Sequence, residues 1–230
     1  LSTIGFTLGI IGIIFAGILR MFDIEMPVIN IVYDGNDKFA FAFILIFCAS
    51  FIIYGLIKNQ GFNGYKQLMS HSGKLITDYT IEANKYLVMV NMGINGLLAI
   101  LFVKMSNGVI NGPIMGGIFN VMGFSAFGKH PRNILPIMIG VYLASLINKY
   151  EPSSTTAILT ALFSTTLAPI AGEFGFIPGI FAGFVHKAVA TNTSFIHGGI
   201  NLYNNGLAGG IVAAVLLPLY KNFMERRERD

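Results

Sequence analysis

The chain has 230 residues, of which 54% are hydrophobic and only 11% are charged, with a net charge of +4. Soluble domains carry about 25% charged residues, so this composition is typical of a protein that folds in a lipid bilayer. The positive charge does not indicate nucleic-acid binding, because the arginines near the C-terminus lie beside acidic residues and the other basic residues are scattered between apolar runs.

Eight apolar runs follow one another along the chain, as expected for membrane-spanning helices. They are Ser2–Leu19, Phe39–Ile57, Tyr86–Val103, Gly108–Gly128, Ile134–Ile147, Thr155–Ile170, Phe174–Ala190 and Gly206–Tyr220. The fourth and seventh carry Pro113 and Pro178, which break or kink helices. The sequence therefore predicts an all-α, polytopic transmembrane helix bundle of about eight spans, some of them broken. Treating those two runs as re-entrant hairpins gives the alternative of six crossings.

The sequence begins with Leu1 directly before the first run, without the charged start and cleavage site of a signal peptide. We therefore expect residues 1–230 to form a single transmembrane domain within a longer chain. The second run contains Cys48, the single cysteine, which excludes an internal disulfide and a metal–thiolate cluster. Its apolar surroundings favour a role as a small core residue.

Basic residues in the loops orient the spans. Residues 20–38 hold two basic and four acidic residues and suit the outside, whereas residues 58–85 hold four lysines and suit the cytoplasm, as does the C-terminal tail. Both termini are therefore predicted to be cytoplasmic. We prefer eight crossings to six because eight also place Lys129 and Arg132 inside. Residues 58–85, the polar segment, are either a linker or an interfacial amphipathic helix around Tyr65–Ile81.

Two blocks of the sequence share a pattern. Pro113-Ile-Met-Gly116 and Pro169-Ile-Ala-Gly172 are followed, fourteen and fifteen residues after the proline, by Phe127-Gly-Lys-His130 and Phe184-Val-His-Lys187. With eight spans the blocks cross in opposite directions, which is typical of an inverted repeat whose binding site lies where the broken segments meet. A chance match is the alternative.

Polar residues inside the apolar runs are candidates for function, because each must find a partner in a bilayer. Asn91 and Asn95 share one helix face, and Asn120 lies in the fourth run. They form interhelical hydrogen bonds or line a solute path. Glu173 lies in a surface turn flanked by glycines, or it is buried against a basic partner; the basic residues that we consider are His186, Lys187, Lys129 and Arg132.

Further polar residues lie between His186 and Gly210. His186 and Lys187 are an interfacial pair, or they form a substrate-binding cluster with Asn192, Thr193, Ser194 and His197. The stretch HGGINLYNNGLAGG (residues 197–210) is interpreted as the unwound entry to the last span, with its asparagines as ligands. The predicted solute-binding residues are Asn201, Asn204, Asn205, His197, Glu173, His186, Asn192, Asn91 and Asn95.

Glycines spaced by four residues, as at Gly5 and Gly9 or at Gly175, Gly179 and Gly183, indicate close packing between helices of this chain or against a partner, or else the wall of a narrow pore. Phosphate-loop, zinc-protease and nucleophile-elbow motifs do not occur in the sequence. His186, His197 and Glu173 lack a standard metal-ligand spacing. We therefore predict neither enzymatic activity nor a cofactor or metal.

The blocks NGPIMGGIFNVMGFSAFGKHPRNILPIMIGVYLA (residues 111–144) and FIPGIFAGFVHKAVATNTSFIHGGINLYNNGLAGG (residues 176–210) resemble an uncharacterised domain-of-unknown-function family of bacterial integral membrane proteins, found mainly in Gram-positive lineages. The resemblance covers most of the chain from about residue 20. It implies a multi-span bacterial membrane protein, and it supplies no activity, substrate or functional residue. Leu202-Tyr203-Asn204-Asn205-Gly206-Leu207 is similar to the glycine-rich Y-N-G stretch that opens a span in urea transporters, with one additional asparagine and without a recognisable proline-bearing filter motif.

The sequence thus predicts a transporter or channel for a small polar solute in the bacterial cytoplasmic membrane. A non-transporting membrane scaffold or subunit is the alternative, favoured by the glycine spacing. The expected partners are the lipid bilayer, the solute, and either a second copy of the chain or a missing half of a longer chain.

Overall fold

The computed structural model describes residues 2–24, 32–33, 35–74, 77–147, 151–197 and 204–227, and their regular secondary structure is entirely helical. The predicted all-α fold is therefore confirmed. In chain order the elements are α1 (Ser2–Met21), α2 (Lys38–Asn59), α3 (Tyr65–Leu68), α4 (Tyr79–Glu82), α5 (Lys85–Met105), α6 (Gly112–Phe124), α7 (Pro131–Ile147), α8 (Thr155–Ser164), a 3-10 turn (Thr165–Leu167), α9 (Ala168–Phe174), α10 (Phe176–Ile196) and α11 (Asn204–Arg227).

Every predicted apolar run coincides with helical structure. Helices α2, α5 and α11, and the combined stretch Thr155–Phe174, are long and apolar enough to cross a membrane, and Gly5–Met21, α6 and α7 are shorter apolar helices. Only 17% of the most apolar stretch of α2 is buried within the chain, as expected for a helix that faces lipid. These helices are those of a membrane-embedded protein.

Pro113 and Pro178, which were expected to break the fourth and seventh runs, do not interrupt a helix. Pro113 stands in the first turn of α6, where Asn111 caps the helix by accepting a hydrogen bond from the Ile114 amide. Pro178 is likewise in the first turn of α10. Proline is tolerated there because the first-turn amides have no partner within the helix. The breaks occur instead at the 3-10 turn and at Gly175, whose φ is +101°.

Two apolar clusters form the core, and α7 contributes to both. The first joins α7 to α2, α5, α6 and α8, and the second joins it to α9, α10 and α11. Close contact between α7 and α10 depends on glycine, because a methyl group built on Gly183 would lie 2.0 Å from the Ile137 carbonyl oxygen. In the same way Gly5 of α1 packs against Gly206 of α11, with a built methyl group 2.9 Å from the Gly206 Cα. The glycines at these two contacts therefore serve packing within the chain.

Contacts at the helix ends show that α2 and α5 run in opposite directions. The Asp37 carboxylate, before α2, accepts hydrogen bonds from the Lys104 ammonium at the end of α5 and from the Ile110 amide (2.8 Å) before α6. At the opposite end the polar segment connects α2 to α5. An ion pair of 2.6 Å between Lys74 and Glu173 brings the end of α9 to this same side.

The polar segment is neither a plain linker nor one amphipathic helix over Tyr65–Ile81. It contains the two one-turn helices α3 and α4 and packs onto the turn between α6 and α7. The Tyr79 amide donates to the Ala126 carbonyl over 3.0 Å, and the buried Tyr79 ring belongs to a small apolar cluster with Leu68. The segment therefore covers this end of the bundle as folded structure.

The two blocks of the proposed repeat take different structures after their prolines. Each proline lies in the first turn of a helix, α6 or α9. Residues 127–130 then lie in the turn before α7, whereas residues 184–187 lie inside α10. The matching lysine and histidine pairs are thus presented by a turn in one block and by a helix in the other.

Candidate functional site

A cluster of polar side chains lies between α10 and the start of α11. We call it the α10–α11 cluster; its members are His186, Thr193, His197, Asn204 and Asn205. Both histidines and Thr193 are buried, with at most 2% of each residue exposed. Lys187, the neighbour of His186 in α10, is also 2% exposed. Such groups are costly to bury in an apolar bundle unless they have partners, so each contact in the cluster is informative.

Asn204 is the centre of the cluster. Its Nδ2 donates to the Ala190 carbonyl of α10 over 3.0 Å. Its Oδ1 accepts from the Thr193 hydroxyl and from His197 Nε2, the latter at 3.1 Å. Asparagine is favourable at the start of a helix, and here its side chain also fixes the start of α11 against α10.

His186 forms the second part of the cluster. Its Nε2 lies 3.3 Å from Oδ1 of Asn205. The ring edge faces Gly209, where a built methyl group would lie 3.9 Å from His186 Nδ1 and 2.8 Å from the Thr166 methyl. The Nδ1 atoms of His186 and His197 are buried and have no hydrogen-bond partner among the residues that the structure describes.

Asn91 and Asn95 belong to a separate cluster that holds the turn between α6 and α7. Asn91 Nδ2 donates to the carbonyls of Ser125 (2.7 Å) and Lys129 (2.8 Å), while Asn95 Nδ2 donates to Ser125 Oγ (2.7 Å). Tyr65 of α3 completes the contacts by donating to Asn91 Oδ1 over 3.1 Å. Hydrogen bonding between elements thus accounts for Asn91 and for the amide nitrogen of Asn95, while Asn95 Oδ1 is buried without a partner among the described residues. The structure does not bring these two asparagines into the α10–α11 cluster.

The 3-10 turn lies between the two clusters. Lys129, which is buried, donates from Nζ to the Thr165 hydroxyl over 2.8 Å and lies 4.9 Å from the centre of the Phe124 ring. The next residue, Thr166, packs beside Gly209, and the His186 ring lies near the same glycine. Sequence reasoning missed this pair of threonines, although two consecutive hydroxyl residues inside an apolar run were a usable signal.

Three further residues of the predicted site lie apart from the cluster or outside the described structure. Glu173 is half-buried at the end of α9 and pairs with Lys74 of the polar segment, which was not among its predicted partners. Asn192 is exposed and donates to the Ala188 carbonyl of its own helix over 2.8 Å. Asn201 lies outside the described residues.

The interpretation of residues 197–210 as an unwound entry is wrong for its second half. Helix α11 begins at Asn204 and includes Gly206, Gly209 and Gly210. Gly206 and Gly210 lie against α1, where Gly210 contacts the Phe6 ring. These glycines were read as signs of irregular backbone, but they permit the close approach of a second helix, which is the other common use of glycine in membrane helices.

The comparison with protein families covers most of this structure. The family described as "Protein of unknown function (DUF1576)" matches residues 57–222, from the end of α2 into α11. The chain belongs to the DUF1576 family. The matched region includes the α10–α11 cluster and the cluster around Asn91. No curated protein and no solved structure matches the chain.

Proposed function

We propose that this DUF1576 chain is a transporter or channel that passes a small polar solute across the bacterial cytoplasmic membrane, with the α10–α11 cluster on the solute path. The observation that carries the proposal is the pair of buried imidazole Nδ1 atoms of His186 and His197, which lack partners among the described residues. Buried polar atoms in proteins are nearly always hydrogen-bonded, so exceptions call for an explanation. A solute that forms these bonds during passage supplies one.

The position of the cluster supports the same proposal. Helix α10 ends at Ile196 and α11 begins at Asn204, and the 3-10 turn approaches the cluster through Thr166. In many transporters the solute binds where membrane helices are interrupted, since the polar groups freed there replace water around the solute. We further propose that the polar segment and both chain ends face the cytoplasm, on the basis of the lysines in residues 58–85.

The test is uptake into proteoliposomes, with a panel of small polar solutes. Asn204→Ala is expected to lower the flux of the transported solute about tenfold, as the loss of about 1.4 kcal/mol of solute stabilisation would. Asn192→Ala is the matched control, because Asn192 is exposed on the same helix pair and bonds only to its own helix; its flux should equal that of the wild type. Equal flux through both variants would show that the α10–α11 cluster does not lie on the solute path.

A membrane scaffold or subunit is the second candidate function, and the outer face of α6 favours it. Gly112, Gly116 and Gly123 line this face, and a methyl group built on any of them would meet nothing within 4 Å. Asn120, half-buried in the same helix, has no hydrogen-bond partner among the described residues. Small residues with one asparagine are typical of a surface where another membrane helix packs.

The mass of the purified protein–detergent complex tests this candidate. If α6 binds a second copy of the chain, Gly116→Leu should convert a dimer into a monomer. Gly17→Leu is the control, since Gly17 of α1 also has nothing within 4 Å of a built methyl group. A wild-type monomer, or a dimer unaffected by Gly116→Leu, would contradict this use of the α6 face.

A further inference from the structure

We propose that the surface where α2 ends and α5 begins binds anionic phospholipid, whose headgroup is attracted by Lys58 and Lys85. We call this surface the α2–α5 patch; its members are Tyr54, Lys58, Lys85 and Tyr86. The inference goes beyond the proposed function, because it concerns a lipid partner at the surface of the bundle and holds whether or not the chain transports a solute. It follows from the position of the patch, the contacts of its tyrosines and the charge of its lysines.

The patch lies where a lipid-facing helix surface ends. Only 17% of the most apolar stretch of α2 is buried within the chain. Tyr54 is 47% exposed, and its neighbours Ile53 and Ile57 are 57% and 69% exposed. Lys58 follows in the last turn of α2, and the polar segment begins there. Tyrosine and lysine at the end of an apolar helix surface are typical of the membrane–water interface, where the lipid headgroups lie.

Close packing between α2 and α5 brings the two tyrosines together. A methyl group built on Gly55 would lie 2.6 Å from the Tyr86 carbonyl oxygen, and the Tyr54 and Tyr86 rings meet edge to face with their centres 6.0 Å apart. Lys58 Nζ lies 6.0 Å from the centre of the Tyr54 ring, and Lys85 Nζ lies 5.3 Å from the centre of the Tyr86 ring. Ammonium groups from two helices are therefore placed on adjoining rings of one surface.

The charges of these two lysines are not neutralised within the part of the chain that the structure describes. Lys74 and Lys104 form ion pairs with carboxylates, whereas Lys58 and Lys85 form none with a described residue. Glu82, three residues before Lys85, lies instead 3.7 Å from a histidine of the polar segment. Exposed lysines at a membrane surface attract anionic lipids. A zwitterionic headgroup is less suited to the patch, because its own cation would meet the two ammonium groups.

Lipid binding to the detergent-purified protein, measured by native mass spectrometry, tests the inference. The probes are phosphatidylglycerol, which has a net negative charge, and phosphatidylcholine, whose phosphate is balanced by a quaternary ammonium. We expect phosphatidylglycerol to bind about tenfold more tightly than phosphatidylcholine. Lys58→Gln and Lys85→Gln should each raise the Kd for phosphatidylglycerol about fivefold, as the loss of one cation at a membrane surface does.

Lys38→Gln is the matched control. Lys38 is exposed and is the first residue of α2, so this substitution removes the same charge from the same helix at its other end. Its Kd for phosphatidylglycerol should equal that of the wild type. Lys58→Arg keeps the charge and should also keep the wild-type Kd. In detergent without added lipid, every variant should unfold within about 1–2 °C of the wild type, since the substituted side chains are exposed.

The outcomes decide the inference without involving the proposed function. Equal Kd values for the two lipids would overturn it. The same holds if Lys38→Gln weakens binding of phosphatidylglycerol as much as Lys58→Gln does, because total charge and not the α2–α5 patch would then govern binding. Displacement of the lipid by inorganic phosphate would assign the patch to a free ion and would likewise overturn the inference. None of these results bears on transport, since none of the experiments measures solute flux.

Discussion

Replacing Asn204 by alanine should destabilise the protein by removing the side chain that joins α11 to α10. Three hydrogen bonds disappear: one to the Ala190 carbonyl (3.0 Å), one from His197 Nε2 (3.1 Å) and one from the Thr193 hydroxyl. The Thr193 hydroxyl keeps a second acceptor, because it also lies 3.1 Å from the Ala190 oxygen. His197 Nε2 keeps none among the described residues, so a buried donor is left without a partner.

The magnitude follows from these contacts. Side-chain hydrogen bonds between membrane helices average about 0.6 kcal/mol, and an orphaned buried donor costs about 1–3 kcal/mol. We therefore expect Asn204→Ala to lower the free energy of unfolding by about 2 kcal/mol, which corresponds to about 4–8 °C in Tm for a chain of this size.

Thermal unfolding of the detergent-purified protein measures this shift. Asn192→Ala is again the control, and its Tm should stay within about 1–2 °C of the wild type, as for surface substitutions in general. If both variants unfold at the same temperature, the hydrogen bonds of Asn204 do not stabilise the contact between α10 and α11, and the reasoning is refuted.

Two further predictions concern the polar segment and the turn that it covers. Burial lowers the pKa of His130 below its ordinary value of 6.5. The folded protein therefore favours the neutral imidazole, and its stability is full above that pH and falls as the pH decreases and the histidine is protonated. Tm should drop between about pH 7.5 and about pH 5.5, and the drop should be smaller in His130→Gln. A methyl group on Gly73 would lie 2.3 Å from the Gly128 carbonyl oxygen, whereas one on Gly61 meets nothing within 4 Å, and both glycines have positive φ. Gly73→Ala should therefore speed proteolysis of the polar segment far more than Gly61→Ala. Equal proteolysis rates would contradict this expectation, because they would show that the positive φ, and not the contact with Gly128, determines the effect of each substitution.

The helices could be predicted from the sequence, whereas several side-chain contacts could not. The apolar runs coincide with helices because a backbone in a bilayer must satisfy its hydrogen bonds within the segment, and hydropathy alone identifies such segments. The partner of Glu173 is Lys74, which lies in a polar stretch that hydropathy treats as a connection. Which loop folds back onto which helix depends on long-range packing and leaves no periodic pattern.

For the prolines and glycines, too, the sequence indicates a feature whose structural role only the fold decides. Their positions in the sequence indicate that the chain departs from regular helices, yet Pro113 begins a helix and Gly206 serves contact with α1. Each residue permits several structures, since proline is tolerated in a first turn and glycine allows both irregular backbone and close packing. The neighbours in space select one of them.

The sequence by itself determined that this protein is an all-helical membrane protein of the DUF1576 family with polar residues in its apolar helices. These properties depend on composition, on the length of apolar runs and on short blocks of sequence. Only the tertiary structure decided that Asn204 orients His197 while Asn91 secures a turn. Both are asparagines in apolar surroundings, and their roles differ because a carboxamide takes its function from the groups that the fold places within hydrogen-bond distance.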